Sequence, residues 1–91
     1  MPKTESPAVT DPQLDVEIIN PEQTLYQGLA YAISSVNNKG QFDILPSHSH
    51  FISIIKDQII IHLPNQTIKT YKFRQGVLRC FNNKINIYIG L

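Results

Sequence analysis

From Lys84 to Ile89 the chain alternates strictly, with Ile85, Ile87 and Ile89 set against Lys84, Asn86 and Tyr88. A side-chain period of two belongs to a β-strand with one buried face, since the apolar stripe of a helix returns every three to four residues. The same period recurs at Leu14, Val16 and Ile18, interleaved with Asp15 and Glu17. Ile, Val and Thr supply 23 of the 91 positions, and 42% of residues are apolar, so the chain is a folded domain rich in strand formers. A domain of this length supports one modest core and leaves little room for a deep substrate pocket.

Turn residues set the strand spacing. Asn20-Pro21 ends the first strand, Asn37-Asn38-Lys39-Gly40 turns the chain into a strand over 41–45, and Pro46 closes that strand. Strands are expected over 51–55, 58–63, 67–73, 77–81 and 84–89. Lys56-Asp57, Pro64-Asn65-Gln66, Gly76 and Asn82-Asn83 lie between them. The segment 20–36 fits two descriptions. Asn20 can cap a helix with Pro21 at its first position and Leu25, Leu29, Ala32 and Ile33 at helical spacing, while Leu29, Tyr31 and Ile33 also alternate as a strand. Eight or nine short strands predict an all-β antiparallel sandwich or flattened barrel over residues 14–91. Residues 1–13, with Pro2, Pro7 and Pro12 and no apolar period, read as a disordered tail.

Charge and motifs exclude more than they suggest. Residues 1–55 carry six acids and two bases, and residues 56–91 one acid and six bases, which reads as two solvated faces of opposite sign. The single Cys80 forms no internal disulfide, and no apolar run is long enough for a signal peptide or a membrane span. His48 and His50 sit at i and i+2 and could share a metal with His62. They lack a Cys pair, a carboxylate cluster or a His-Glu-x-x-His spacing, so a loop-ordering role for His48 is favoured and no metal is expected. Ser47, Ser49 and Ser53 lie near histidines without a nucleophile elbow or an orienting acid, and no glycine-rich phosphate loop is present, so neither catalysis nor a nucleotide cofactor is expected. The strand Lys69 to Arg74 mixes cations with Tyr71 and Phe73. It supports an alternative reading as a stand-alone β-barrel module that binds single-stranded nucleic acid or another ligand. Tyr71, Phe73 and Lys69 share one strand face, and Lys72 and Arg74 the other, so a core aromatic pair backed by solvated charges is favoured.

Three blocks resemble a known family. Leu14-Asp15-Val16, then Pro21 through Gly28, then Gly40-Gln41-Phe42-Asp43-Ile44-Leu45-Pro46-Ser47-His48 are similar to the N-terminal domain of the epsilon subunit of F-type ATP synthases, called delta in mitochondria. The order continues through the apolar strand 51–55, the turn at Pro64-Asn65, the step Gln75-Gly76-Val77-Leu78 and the turn at Asn82-Asn83. The resemblance implies a sandwich of about ten strands, with strands rather than a helix across 24–36. It implies a non-catalytic central-stalk adaptor that couples the gamma subunit to the membrane c-ring in proton- or sodium-driven ATP synthesis. Such a protein takes no cofactor, binds no nucleic acid, is monomeric when isolated, and belongs to a peripheral membrane complex on the cytoplasmic face of the bacterial inner membrane. The family's C-terminal helical hairpin has no counterpart in this sequence. Gln41, Asp43, Ser47 and Gln75 depart from the family pattern. Gln41, Phe42, Asp43, Ser47, His48, Ser49 and His50 are expected in a ring-facing loop. A shaft-facing patch is expected on strands with apolar residues on both faces, with at least one of Ala30, Ala32 and Ile60 exposed.

Overall fold

The structure, a computed structural model, describes residues 13–47 and 50–90. It contains β1 (Leu14–Ile19), β2 (Thr24–Ala30), β3 (Ala32–Asn37), β4 (Gly40–Ile44), β5 (Phe51–His62), β6 (Ile68–Phe81) and β7 (Lys84–Ile89), with one 3-10 turn at Pro64–Gln66. The strands form one sheet in the order β2-β1-β7-β6-β5-β3-β4. All neighbouring pairs are antiparallel except β1 and β7, which run parallel. Among the described residues no helix is long and apolar enough to cross a membrane.

The all-β expectation holds, but with fewer and longer strands. The segments expected over 51–55 and 58–63 are one strand, as are those over 67–73 and 77–81. Lys56-Asp57 does not interrupt pairing. Asp57 takes φ 73° and the register with β6 slips by one, a bulge that bends the ribbon without breaking it. Likewise Gly76 stays in the ladder between Ile55 and Ile89.

That bend folds the sheet onto itself. One layer holds β2, β1, β7 and the paired ends of β6 and β5 around Val77 and Ile54. The other holds the remaining halves of β6 and β5 with β3 and β4. Inward residues from both layers form one core: Leu14, Val16 and Ile18 of β1, Ile33 and Ile44 of β3 and β4, Ile55, Ile59 and Ile61 of β5, Leu78 of β6, and Ile85 and Ile87 of β7. Among the described residues Ser35 is the one buried polar side chain, and its hydroxyl donates to the Gln58 carbonyl at 2.7 Å. The bulge supplies that acceptor, because Asp57 and Gln58 have no partners on β3.

Residues 24–36 hold β2 and most of β3, joined at Tyr31, and no helix. The Asn20 side chain accepts bonds from the Glu22 and Gln23 amides, each at 2.8 Å. The capping chemistry read from the sequence is therefore present, and here it closes a turn between β1 and β2 instead of starting a helix. Residues 1–12 of the expected tail lie outside the described residues.

Candidate partner-binding surfaces

Register and alternation assign every outward side chain to one of two faces. On the outside of the first layer, Ile54, Val77, Tyr88 and Ile19 stand side by side across β5, β6, β7 and β1. Ile54 is 62% exposed, and its neighbour Ile52 is 68% exposed. At strand spacing of about 4.8 Å this apolar row runs roughly 14 Å. Cations rim it. Arg79 pairs directly with Ile52, and Lys56 and Arg74 join Ile52, Ile54, Gln75 and Asn38 around a shallow cleft of about 540 Å³. Two acids share this face, Asp15 beside Lys84 and Glu17, whose carboxylate accepts from the Asn86 side chain at 3.2 Å.

The outside of the second layer is more polar. Asp43, Ser34, Ile60 and Thr70 form a row across β4, β3, β5 and β6. Ser34 Oγ donates to Asp43 Oδ1 at 2.6 Å, and His62 Nε2 lies 2.8 Å from the same hydroxyl. Since the hydroxyl proton is committed to the carboxylate, His62 must be the donor to Ser34. The arrangement does not fit hydrolysis, because the acid contacts the serine and leaves the histidine unoriented.

The residues expected in one ring-facing loop are divided. Gln41 and Asp43 point outward on β4, whereas Phe42 points inward and packs edge-on against Phe51 at 6.1 Å. Beyond β4, the Ser47 amide donates to Asn83 Oδ1 at 2.6 Å, and His50 Nε2 lies 3.1 Å from Asn82 Oδ1. Asn82 and Asn83 have φ of 50° and 63°, the left-handed pair of a tight hairpin turn. The His50 ring also stacks on Phe81 at 4.5 Å, with the Arg79 guanidinium 5.5 Å from the Phe81 centroid. His48 and Ser49 lie outside the described residues. His50 and His62 serve separate networks, and among the described residues no group of three metal-ligating side chains occurs.

The three candidates for a shaft-facing patch fall in different environments. Ala30 is 1% exposed and belongs to the core, because Leu14 stands opposite it on β1. Ala32 and Ile60 are half-buried and share a face with Asp43. The larger apolar exposure, at Ile52 and Ile54, was missed, although 51–55 also carries apolar residues on both strand faces. Tyr71 and Phe73 pack against the core while Lys72 and Arg74 are exposed, as the alternation predicts.

Residues 13–89 match the family described as ATP synthase, Delta/Epsilon chain, beta-sandwich domain. Among curated proteins, the ATP synthase epsilon chain of Nitratiruptor sp. is 34% identical over 53 residues, covering 57% of this chain and 41% of the relative. That of Sulfurimonas denitrificans is 23% identical over 78 residues, covering 85% and 60%. The chain thus spans about half the length of these relatives. Two solved structures share the fold. One is a chain of the Euglena gracilis mitochondrial ATP synthase, OSCP/F1/c-ring in rotational state 1, with TM-score 0.78, 14% identity and coverage of 85% of this chain and 50% of that one. The other belongs to the Tetrahymena thermophila mitochondrial ATP synthase central stalk/c-ring, with TM-score 0.67, 13% identity and coverage of 84% and 62%.

Proposed function

Because the chain belongs to the family of ATP synthase delta/epsilon β-sandwich domains, we propose that it is a non-catalytic stalk adaptor that grips a gamma-type shaft on one face and a membrane c-ring on the other. The folded unit is residues 14–91, attached peripherally to the membrane complex on its cytoplasmic side. The observation that carries this reading is the contrast between the two outward faces of one small body. Exposed Ile52 and Ile54, continued by half-buried Val77, Tyr88 and Ile19, suit a dry contact with the shaft. Gln41 and Asp43, at the edge of the other layer, suit the basic polar loops of a ring. The segment 47–50, including His48 and Ser49, lies between these surfaces in sequence and is assigned to the ring-side contact.

Reconstitution with the gamma subunit and the c-ring of the same organism tests the assignment. Ile54→Asp is expected to abolish gamma binding and leave ring binding intact, and Asp43→Lys to do the reverse. Ile54→Asp, at an exposed site, should keep the wild-type melting temperature, whereas Asp43→Lys gives up the bond from Ser34 and should lower it slightly without unfolding the chain. If Ile54→Asp assembled with unchanged affinity, the first layer would not be the shaft contact.

A further inference from the structure

A sandwich folded from one bent sheet has four open edges, and here three are guarded. Edge strand β4 is five residues long and carries Asp43. The 51–55 stretch of β5 has the Asn37 side chain across it, donating to Ser53 Oγ at 3.3 Å. The 68–75 stretch of β6 presents Lys69, Lys72 and Arg74, all exposed. Charge, shortness and cover are the usual means by which a protein keeps an edge from pairing. The fourth edge, β2, is seven residues reading Thr-Leu-Tyr-Gln-Gly-Leu-Ala, with no charge and no proline.

Two of its carbonyls are held only weakly. Leu25 O and Leu29 O accept the Tyr71 and Tyr26 hydroxyls at 3.3 Å, long for O–H···O bonds. Directly across the core opening lies the basic stretch of β6, with Lys69 Nζ 5.5 Å from the Tyr26 ring centroid. Among the described residues Lys69, Lys72 and Arg74 make no ion pair. We propose that the β2 edge takes up an extended acidic segment of a partner protein as an added strand, its backbone pairing with Thr24–Ala30 and its carboxylates reaching Lys69. A second copy of this chain fits poorly, since pairing β2 with β2 would bring two cationic β6 edges together. Single-stranded nucleic acid also fits poorly, because Tyr71 and Phe73 are packed against the core and offer no stacking platform. The inference rests on the geometry of the edge and not on the stalk reading.

Two labelled seven-residue peptides provide the probe, one alternating Val with Glu and the other Val with Lys, titrated against the whole chain by fluorescence anisotropy and by amide hydrogen exchange. The Val-Glu peptide is expected to bind, to slow exchange at alternate amides of Thr24–Ala30, and to weaken with added salt. The Val-Lys peptide is expected not to bind. Lys69→Glu should cost the Val-Glu peptide roughly tenfold in affinity and gain it for Val-Lys. If that variant folded poorly, the comparison of the two peptides on the wild type would still decide. Equal binding of both peptides, binding of neither, or protection mapped to the Ile52–Ile54 row would overturn the proposal. So would tighter binding of oligouridine at the same residues, or a dimer of the chain alone at the concentrations used.

Discussion

Replacing Gly76 by alanine places a methyl where the backbone already is. A Cβ built there lies 2.7 Å from the Tyr88 carbonyl oxygen and 2.8 Å from Ile89 Cγ2. Gly76 is buried in the inner row between Ile55 and Ile89, so neither strand can move aside without opening the core. Overpacking of this kind costs about 1–3 kcal/mol. Alanine also restricts the unfolded chain, which returns about 0.4–1 kcal/mol. The net expectation is a loss of about 1–2 kcal/mol, or roughly 10 °C in melting temperature for a domain of this size. Gly28→Ala is the internal control. Its Cβ would meet the Tyr26 hydroxyl at 3.0 Å, the far end of a side chain that can swing away, so its stability should stay within about 0.5 kcal/mol of wild type. Urea and thermal unfolding of the two variants side by side make the measurement. Equal stabilities would refute the claim that backbone contact with β7 dictates glycine at position 76.

Ser35→Ala removes the donor from the buried Gln58 carbonyl and should cost about 1–3 kcal/mol, read by urea unfolding. Asn83→Gly keeps the left-handed backbone of the turn but loses the bond to the Ser47 amide. Global stability should change little while hydrogen exchange at Ser47 accelerates. At alkaline pH the fold should weaken. Burial raises the Cys80 thiol above its ordinary 9.0, and burial together with the neighbouring Tyr71 raises Tyr26 above 10.0. The unfolded chain loses these protons first, so stability is at its full value below about pH 9 and falls as pH rises through the folded-state values. A pH series of thermal melts that stayed flat through this range would contradict both shifts.

The parts legible in the sequence were those set by local pattern. Strands β1, β4 and β7 follow directly from two-residue alternation and from Pro46, Gly40 and Asn82-Asn83. The β3–β4 hairpin was legible further than it was read. Once Asn37 is placed opposite Gly40, counting back along both strands puts Ser34 opposite Asp43, half of the polar network. Its other half could not be read, since His62 reaches Ser34 only because β3 pairs with β5 in one register. The parallel pairing of β1 with β7 is equally invisible, because nothing local to residues 14–19 or 84–89 specifies which strand lies beside them. Lys56-Asp57 and Gly76 were read as stops. A bulge and a chain break draw on the same residue types, and only the ladder on either side tells them apart.

The long strands also bear on how one small body could serve the two partners proposed for it. In a sandwich of two separate sheets, force applied to one outer face reaches the other through side-chain packing alone. Here Ile54 and Ile60 stand on opposite outer faces yet belong to the same strand, as do Val77 and Thr70. Strands β5 and β6 stay paired at twelve positions from Phe51 to His62, through the bend itself. A displacement imposed at the apolar row is therefore carried to the Asp43 face by covalent chain and a continuous hydrogen-bond ladder. The place where such a ribbon could yield is the bulge, and there the structure concentrates its internal bracing. Ser35 holds the carbonyl that the bulge releases, and Gly76 lets β7 close against β6 at backbone distance. The proposed stalk role would need a bend that resists deformation, and Ser35 and Gly76, neither of which lies on an outer face, brace it from within.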